Sequence, residues 1–277
     1  LNGDGPDQAT ARDLPQKAAG LVAEDRVSPS DILAITFTNK AAAEMKQRVA
    51  GLLGEVAENM WVSTFHSACV RILRRDIEKL GFSRSFVIFD TSDQLTVIKD
   101  CLKELNIDDR NFPPKTVQHA IGRAKDELIE PPAYVKMHEK DFRMSRIADV
   151  YQLYQDKLRQ NNALDFDDII LYTIKLFMDN TPVLRYYQDR FKYIHVDEYQ
   201  DTNTAQYHLV NLLAGRHGNL CVVGDDDQSI YGFRGANIRN ILDFEKDFKG
   251  CRVIKLEQNY RSTGTILDAA NSIIKNN

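Results

Sequence analysis

Five short apolar runs rich in β-branched and aromatic residues recur along the chain, at Ile32–Thr36, Trp61–Phe65, Tyr193–Val196, Leu220–Val223 and Arg252–Leu256. They are nearly continuous rather than alternating, as strands are when helices cover both faces of a parallel sheet. Helical patterns lie between them. After Asn39, Met45, Val49 and Leu52 fall on one face, with Gly54 as a stop. After Thr64, Phe65, Cys69, Ile72 and Leu80 trace a second stripe that ends at Gly81. Alternating strands and helices predict an α/β domain built on a parallel sheet flanked by helices.

From about Phe86 to Asn162 the pattern turns mostly helical. Thr91-Ser92-Asp93-Gln94 reads as a capping box, with Leu95, Ile98, Leu102 and Leu105 following on one face. Pro113-Pro114 and Pro131-Pro132 punctuate the region. The expected organisation is an inserted helical subdomain over 86–163, inside an α/β domain made of 1–85 (1–26 atypical) and 164–277.

Composition excludes little. With 277 residues, 43% hydrophobic and 27% charged, the chain can bury one large core or two medium ones. Its net charge of −4 does not announce a nucleic-acid binder, but a binding groove needs only a local basic lining. Cys69, Cys101, Cys221 and Cys251 are far apart without a CxxC pair, which suggests buried reduced thiols in a cytoplasmic protein and no zinc site. Neither a secretory signal nor a membrane-length apolar run is present.

The chemistry concentrates where apolar runs end. In "VDEYQD" (196–201) the strand runs straight into Asp197 and Glu198. Carboxylates at the carboxyl end of a parallel strand lie where open α/β sheets bind ligands. Asp197 suits Mg²⁺, usually through water, and Glu198 suits a base that polarises an attacking water. The plain alternative is a solvated pair of strand-end acids. In "VVGDDDQSIYGFRGA" (222–236) Gln228 is placed to sense a terminal phosphate from a neighbouring strand end. Tyr231 and Phe233, next to Arg234, could stack on bases for about 1–3 kcal/mol each, or could simply anchor the loop as buried rings.

At the first strand end, "TFTNK" (36–40) offers Phe37 for stacking and Lys40 to neutralise a phosphate. Asn39 suits a helix cap, and the free amides beside Thr38 and Asn39 suit a backbone phosphate. Thr64 and His66 stand at a similar strand end, His66 in a supporting contact and without a catalytic role. His195 reads as a structural residue of the sheet. In "LEQNYRST" (256–263) Arg261 could reach a γ-phosphate and Tyr260 could stack on a purine; a surface Arg and a packed Tyr are the bland alternative.

In this order the five segments, together with "LDFDDII" (164–170), resemble superfamily 1 DNA helicases of the UvrD/PcrA/Rep type, from about Val27 to the last residue. The resemblance implies a RecA-like P-loop NTPase fold. Two such domains would clamp ATP and Mg²⁺ and step 3′ to 5′ along single-stranded DNA, unwinding at single-strand/duplex junctions in repair or replication. It implies that Asp197 is the metal-binding acid and Glu198 the catalytic base. Gln228 and Arg261 would contact the γ-phosphate and Tyr260 the adenine. Phe37, Thr38, Asn39, Lys40, Thr64, His66, Tyr231, Phe233 and Arg234 would line the DNA track or couple it to the ATP site. Members of the family often carry Trp at the position of Phe233, and stacking should survive that change.

One departure stands out. The family's phosphate loop, GxxxxGK[ST], has no counterpart in residues 1–27: Lys17 is followed by Ala18 and Ala19 and preceded by no glycine loop. The segment is also about fifteen residues short of a strand, loop and helix. Without the amide cradle and its Lys, tight Mg·ATP binding is expected to fail. With the second motor domain absent too, no turnover is expected from this polypeptide alone. Two other classes compete: a non-hydrolysing single-stranded DNA-binding module, and a metal-dependent nuclease built on Asp225, Asp226 and Asp227.

Overall fold

The computed structural model describes residues 27–229, 235–256, 258–259 and 262–274. Its central sheet is wholly parallel. Four strands, β1 (Ile32–Thr36), β2 (Trp61–Thr64), β5 (Tyr193–Val196) and β6 (Leu220–Val222), lie in the order β2-β1-β5-β6. The register pairs Leu33 with both Trp61 and Ile194, and Val196 with Val222. A separate two-stranded parallel ladder joins β3 (Val87–Ile88) to β4 (Ala163–Leu164), so the chain leaves and re-enters the sheet domain at one place.

Helices fill the crossovers. α1 (Asn39–Leu53) follows β1 and α2 (Phe65–Asp76) follows β2. Thr38 rather than Asn39 caps α1, its hydroxyl accepting the Ala41 N–H at 3.1 Å. The expected apolar stripe of α1 is only partly buried: Met45 and Val49 are half-buried, Leu52 is 62% exposed, and the one fully buried residue of the helix is Ala42. On α2 the stripe is real, with Phe65, Cys69 and Ile72 buried. In α3 (Thr91–Glu104) the capping box lies one residue earlier than expected. Asp90 accepts the Ser92 and Asp93 N–H groups at 2.7 and 2.9 Å, and Asp93 caps back to the Asp90 N–H. A carboxylate accepts two amides at once, which displaces the neighbouring Thr91 from the cap.

α4 (Pro114–Asp126) and α5 (Pro131–Met137) both start at a proline, where the missing N–H costs nothing, and α6 (Phe142–Gln160) is capped by Asp141. They enclose a core of Ile98, Leu102, Val117, Ile121, Tyr151 and Tyr154. The sheet has its own core, centred on Leu33, Ile35, Phe65, Phe177, Ile194 and Val196. α7 (Phe166–Asp179) is buried on nearly every side and joins the two, while α8 (Thr181–Arg190) and α9 (Thr204–Ala214) complete the sheet domain.

Two expectations need correction. The fifth apolar run, Arg252–Leu256, forms no strand: it has no ladder partner among the described residues, and Val253, Ile254 and Leu256 are 57%, 69% and 86% exposed. Hydrophobicity can nominate a strand, but pairing requires a neighbour. Of the four cysteines only Cys69 and Cys101 are buried, whereas Cys221 is exposed and Cys251 half-buried. His195 does lie in the sheet, between Ala34 and Cys221, but its side chain is exposed. Among the described residues no helix is long and apolar enough to cross a membrane.

Candidate functional site

The tips of β5 and β6 stay paired beyond the strands. Val223 N–H donates to the Val196 carbonyl at 2.8 Å, Tyr199 N–H to the Val223 carbonyl at 2.9 Å, and Asp197 N–H to the Ile35 carbonyl at 2.9 Å. Asp197 and Glu198 therefore emerge beside the loop that carries Asp225 and Gln228, and next to the tip of β1.

Glu198 has φ 53° and ψ 41°, the left-handed region, in which a non-glycine residue stores about 1–3 kcal/mol. That turn presents its carboxylate to solvent, where it accepts a hydrogen bond from Gln200 Nε2 at 2.7 Å. Gln200, only 1% exposed, also accepts the Asp225 N–H at 3.1 Å through Oε1. Gln228 Nε2 donates to Asp225 Oδ2 at 2.6 Å. One chain of bonds thus links the two strand-tip residues singled out by sequence. At Gly224 an added Cβ would come within 2.6 Å of Gln200 Oε1 and 2.7 Å of Ile241 Cδ1, so the Gln200 bridge or the Ile241 side chain would have to shift.

The crevice is electrically unbalanced. Burial, then the Glu198 charge, raises the Asp197 carboxyl above its ordinary range, and the same two causes raise Asp201. Among the described residues none of these three acids has an ion-pair partner. Asp201 Oδ1 and Thr36 Oγ1 are buried with no hydrogen-bond partner. Uncompensated carboxylates and orphaned oxygens fit a divalent cation. No group of three or more His, Cys, Asp or Glu among the described residues forms a cage. Mg²⁺ needs only one or two protein carboxylates, with water and phosphate oxygens completing its shell, and the acids at the tip of β5 are of that kind. The acidic triplet 225–227 makes no metal cluster either: Asp225 spends Oδ1 on the Asp227 N–H at 3.1 Å and Oδ2 on Gln228.

The expected track residues divide into three groups. Thr38, Asn39 and Lys40 are exposed around the start of α1, and Phe37 packs edge-on against Phe65 at 5.5 Å. Thr64 is only 7% exposed and caps α2, accepting the Ser67 N–H and donating to Ser67 Oγ. Its hydroxyl is committed within the protein. His66 stacks on Phe166, with ring centroids 3.7 Å apart and planes 20° apart; burial lowers its pKa to about 4, so it is neutral. Tyr231, Phe233, Arg234, Tyr260 and Arg261 lie outside the described residues.

Sequence reasoning overlooked three residues. Phe166 is 51% exposed despite its ring, on the open side of the His66 stack; an aromatic framed by Asp165 and Asp167 at a helix start was the available signal. Gln200 had no signal, since its role depends on two strand tips. Lys125, fully buried, bonds Asp165 at 2.6 Å and Asp168 at 2.8 Å where α4 meets α7. Tyr154 OH and Gln155 Nε2 complete that cluster, donating to Asp165 and Asp168 at 2.8 and 2.9 Å. Beside it, Asp126 accepts from Asn203 Nδ2, at the cap of α9, at 2.6 Å. This cluster ties α4 and α6 to α7.

The profile of the UvrD/REP helicase N-terminal domain matches residues 12–249. The chain belongs to that family. Among curated relatives, the protein named ATP-dependent DNA helicase PcrA from Bacillus subtilis (strain 168) is 57% identical over 273 residues, covering 99% of this chain. Proteins of the same name from Staphylococcus aureus (strain Mu50 / ATCC 700699) and Staphylococcus epidermidis (strain RP62A) are 56% and 55% identical over the same length. The chain spans 37% of the length of each of these relatives. Family membership accounts for the parallel sheet with helices on its faces.

Proposed function

We propose that this chain forms the first motor domain of an ATP-driven translocase that steps 3′ to 5′ along single-stranded DNA and unwinds it at single-strand/duplex junctions in the cytoplasm. The observation that carries this reading is the bonded path from Glu198 through Gln200 and Asp225 to Gln228 across two adjacent strand tips. Asp197, with Glu198 beside it, would hold Mg²⁺, which when bound neutralises charge on the transferred phosphate. Glu198 then has the exposure and the free oxygen needed to take a proton from an attacking water. Gln228, tied to the same path, would report the presence of a γ-phosphate, with Arg261 and Tyr260 contacting phosphate and base. Phe37, Thr38, Asn39, Lys40, His66 and Phe166, continued by Tyr231, Phe233 and Arg234, would pave the DNA path; Thr64 supports it as a cap. A second motor domain would close the opposite wall of the cleft.

In a full-length family member that carries an intact GxxxxGK[ST] loop, the substitution equivalent to Glu198→Gln should abolish DNA-stimulated ATP hydrolysis while leaving single-strand binding intact. Unchanged turnover would remove Glu198 as the base. A second reading, a non-hydrolysing DNA-binding module, is favoured by the missing GxxxxGK[ST] pattern. Titrating nucleotide in the presence of Mg²⁺ separates the two, because only the first predicts saturable binding.

A further inference from the structure

A cavity of about 230 Å³ lies at the far end of the sheet, lined by Trp61, Arg71, Arg75, Tyr186, Tyr187 and Arg190. Strand direction fixes its place. Trp61 opens β2 while Thr64 closes it, about 10 Å away along the strand. Arg71 and Arg75 lie on the half of α2 that runs back toward the amino ends of the strands, and Arg190 ends α8 just before β5. The cavity is therefore remote from the acid-tipped crevice and from the aromatic path beside it.

Its lining is cationic and underused. The Arg71 guanidinium lies 4.0 Å from the centroid of the Trp61 ring, Arg190 lies 5.2 Å from it, and Arg75 lies 3.5 Å from the Tyr186 centroid. A guanidinium stacked on a ring keeps its edge donors available in plane. Among the described residues one acid is paired with these three arginines, Asp76, 3.5 Å from Arg75 Nε and also receiving the Tyr187 hydroxyl at 3.4 Å. Arg71 has no ion-pair or hydrogen-bond partner among the described residues, and Arg190 reaches only the Tyr186 hydroxyl, at 3.5 Å. Two N–H donors of the lining, Trp61 Nε1 and Arg190 Nε, are buried without an acceptor, and Trp61 is only 7% exposed. A buried donor without an acceptor is costly and uncommon in a folded protein.

We propose that this cavity is a phosphoryl-binding site, taking inorganic phosphate or a small phosphate monoester whose organic part packs on the aromatic rings. Three guanidinium groups opposed by one carboxylate leave a surplus of two positive charges, which matches a phosphate dianion better than a single carboxylate. The unpaired N–H groups supply directional donors, and planar forks suit phosphate oxygens.

Trp61 is the only tryptophan in the chain, so its emission reports on the cavity directly. Inorganic phosphate and phenyl phosphate are titrated separately into the full chain, with chloride holding ionic strength constant. The expected result is a saturable change in Trp61 emission for at least one of them. Tighter binding of phenyl phosphate assigns the site to a monoester, and equal or tighter binding of inorganic phosphate assigns it to the free ion. Arg71→Gln should weaken the response at least about tenfold, the usual contribution of a hydrogen bond between charged groups. Arg71→Lys, which keeps the charge but not the fork, should weaken it less. No saturable change with either compound, or an identical change with chloride alone, overturns the proposal whatever the variants do. So does an unchanged midpoint in a folded Arg71→Gln protein.

Discussion

Gln200 and Glu198, two residues apart at the tip of β5, are joined by a 2.7 Å hydrogen bond from the buried amide to the exposed carboxylate. Because the same amide accepts the Asp225 N–H, the two strand tips behave as one unit. The left-handed turn at Glu198 is held by this bridge and by the backbone bond from Tyr199 to Val223.

Gln200→Ala removes both side-chain bonds and leaves a partly buried N–H on Asp225 without its acceptor. A loss of about 1–3 kcal/mol is expected from the unsatisfied group. Denaturant unfolding measures it. A loss within error of zero would show that the strand tips hold together without the bridge.

Phe166→Ala tests the stacked pair. Its ring is half exposed, so truncation should leave the unfolding midpoint nearly unchanged. If the His66–Phe166 face meets a base, single-strand affinity should fall by about 1–3 kcal/mol. Fluorescence anisotropy with a labelled oligonucleotide at fixed salt reads this. Equal affinity, or a matching loss of stability, would assign the ring to packing alone.

Lys125→Met breaks the buried cluster where α4 and α6 meet α7. Burial by itself would disfavour the Lys125 charge, yet Asp165 and Asp168 outweigh it and hold the ammonium charged. Removing it strands two carboxylates in the core, which costs about 3–5 kcal/mol. Thermal unfolding should show the loss, and adding Asp165→Asn and Asp168→Asn should recover part of it. A single variant as stable as the parent would contradict the role given to Lys125.

Asp126 predicts a pH effect with a definite sign. Burial first, then the charges of Asp167, Glu127 and Asp165, raise its carboxyl from 3.8 to about 7. Between those values the unfolded chain has released a proton that the folded chain keeps, so Asp126 erodes stability as pH rises through the window. Asp126→Asn still offers Asn203 an oxygen and should erase this contribution. The difference in melting temperature between variant and parent should grow in favour of the variant from pH 4 to pH 7, then level off. A difference independent of pH would mean that Asp126 does not titrate in that range.

Much of the sheet domain was legible in the chain. Continuous apolar runs located four strands to within a residue, although only β1 and β2 are buried nearly throughout, while β5 and β6 expose His195 and Cys221. The acid pair at the end of β5 was visible as well: two charges after such a run can only lie at its mouth. The run at Arg252–Leu256 was misleading, since hydrophobicity carries no information on whether a partner strand is within reach. The cap of α1 fell to Thr38 and that of α3 to Asp90, because side-chain geometry at a helix start selects among adjacent competent residues.

The amino-acid order by itself determined the strand-and-helix alternation, the carboxylates at the strand mouth and the membership of a helicase family, all of which depend on local spacing. Only the folded arrangement decided that Gln200 bridges two tips, that Phe166 stacks on His66, that Lys125 neutralises a junction, and that three arginines converge on Trp61. Each of these joins residues from separate elements. Their contacts depend on strand order, on register and on the direction in which each helix returns across the sheet, none of which is written in the spacing of any one segment.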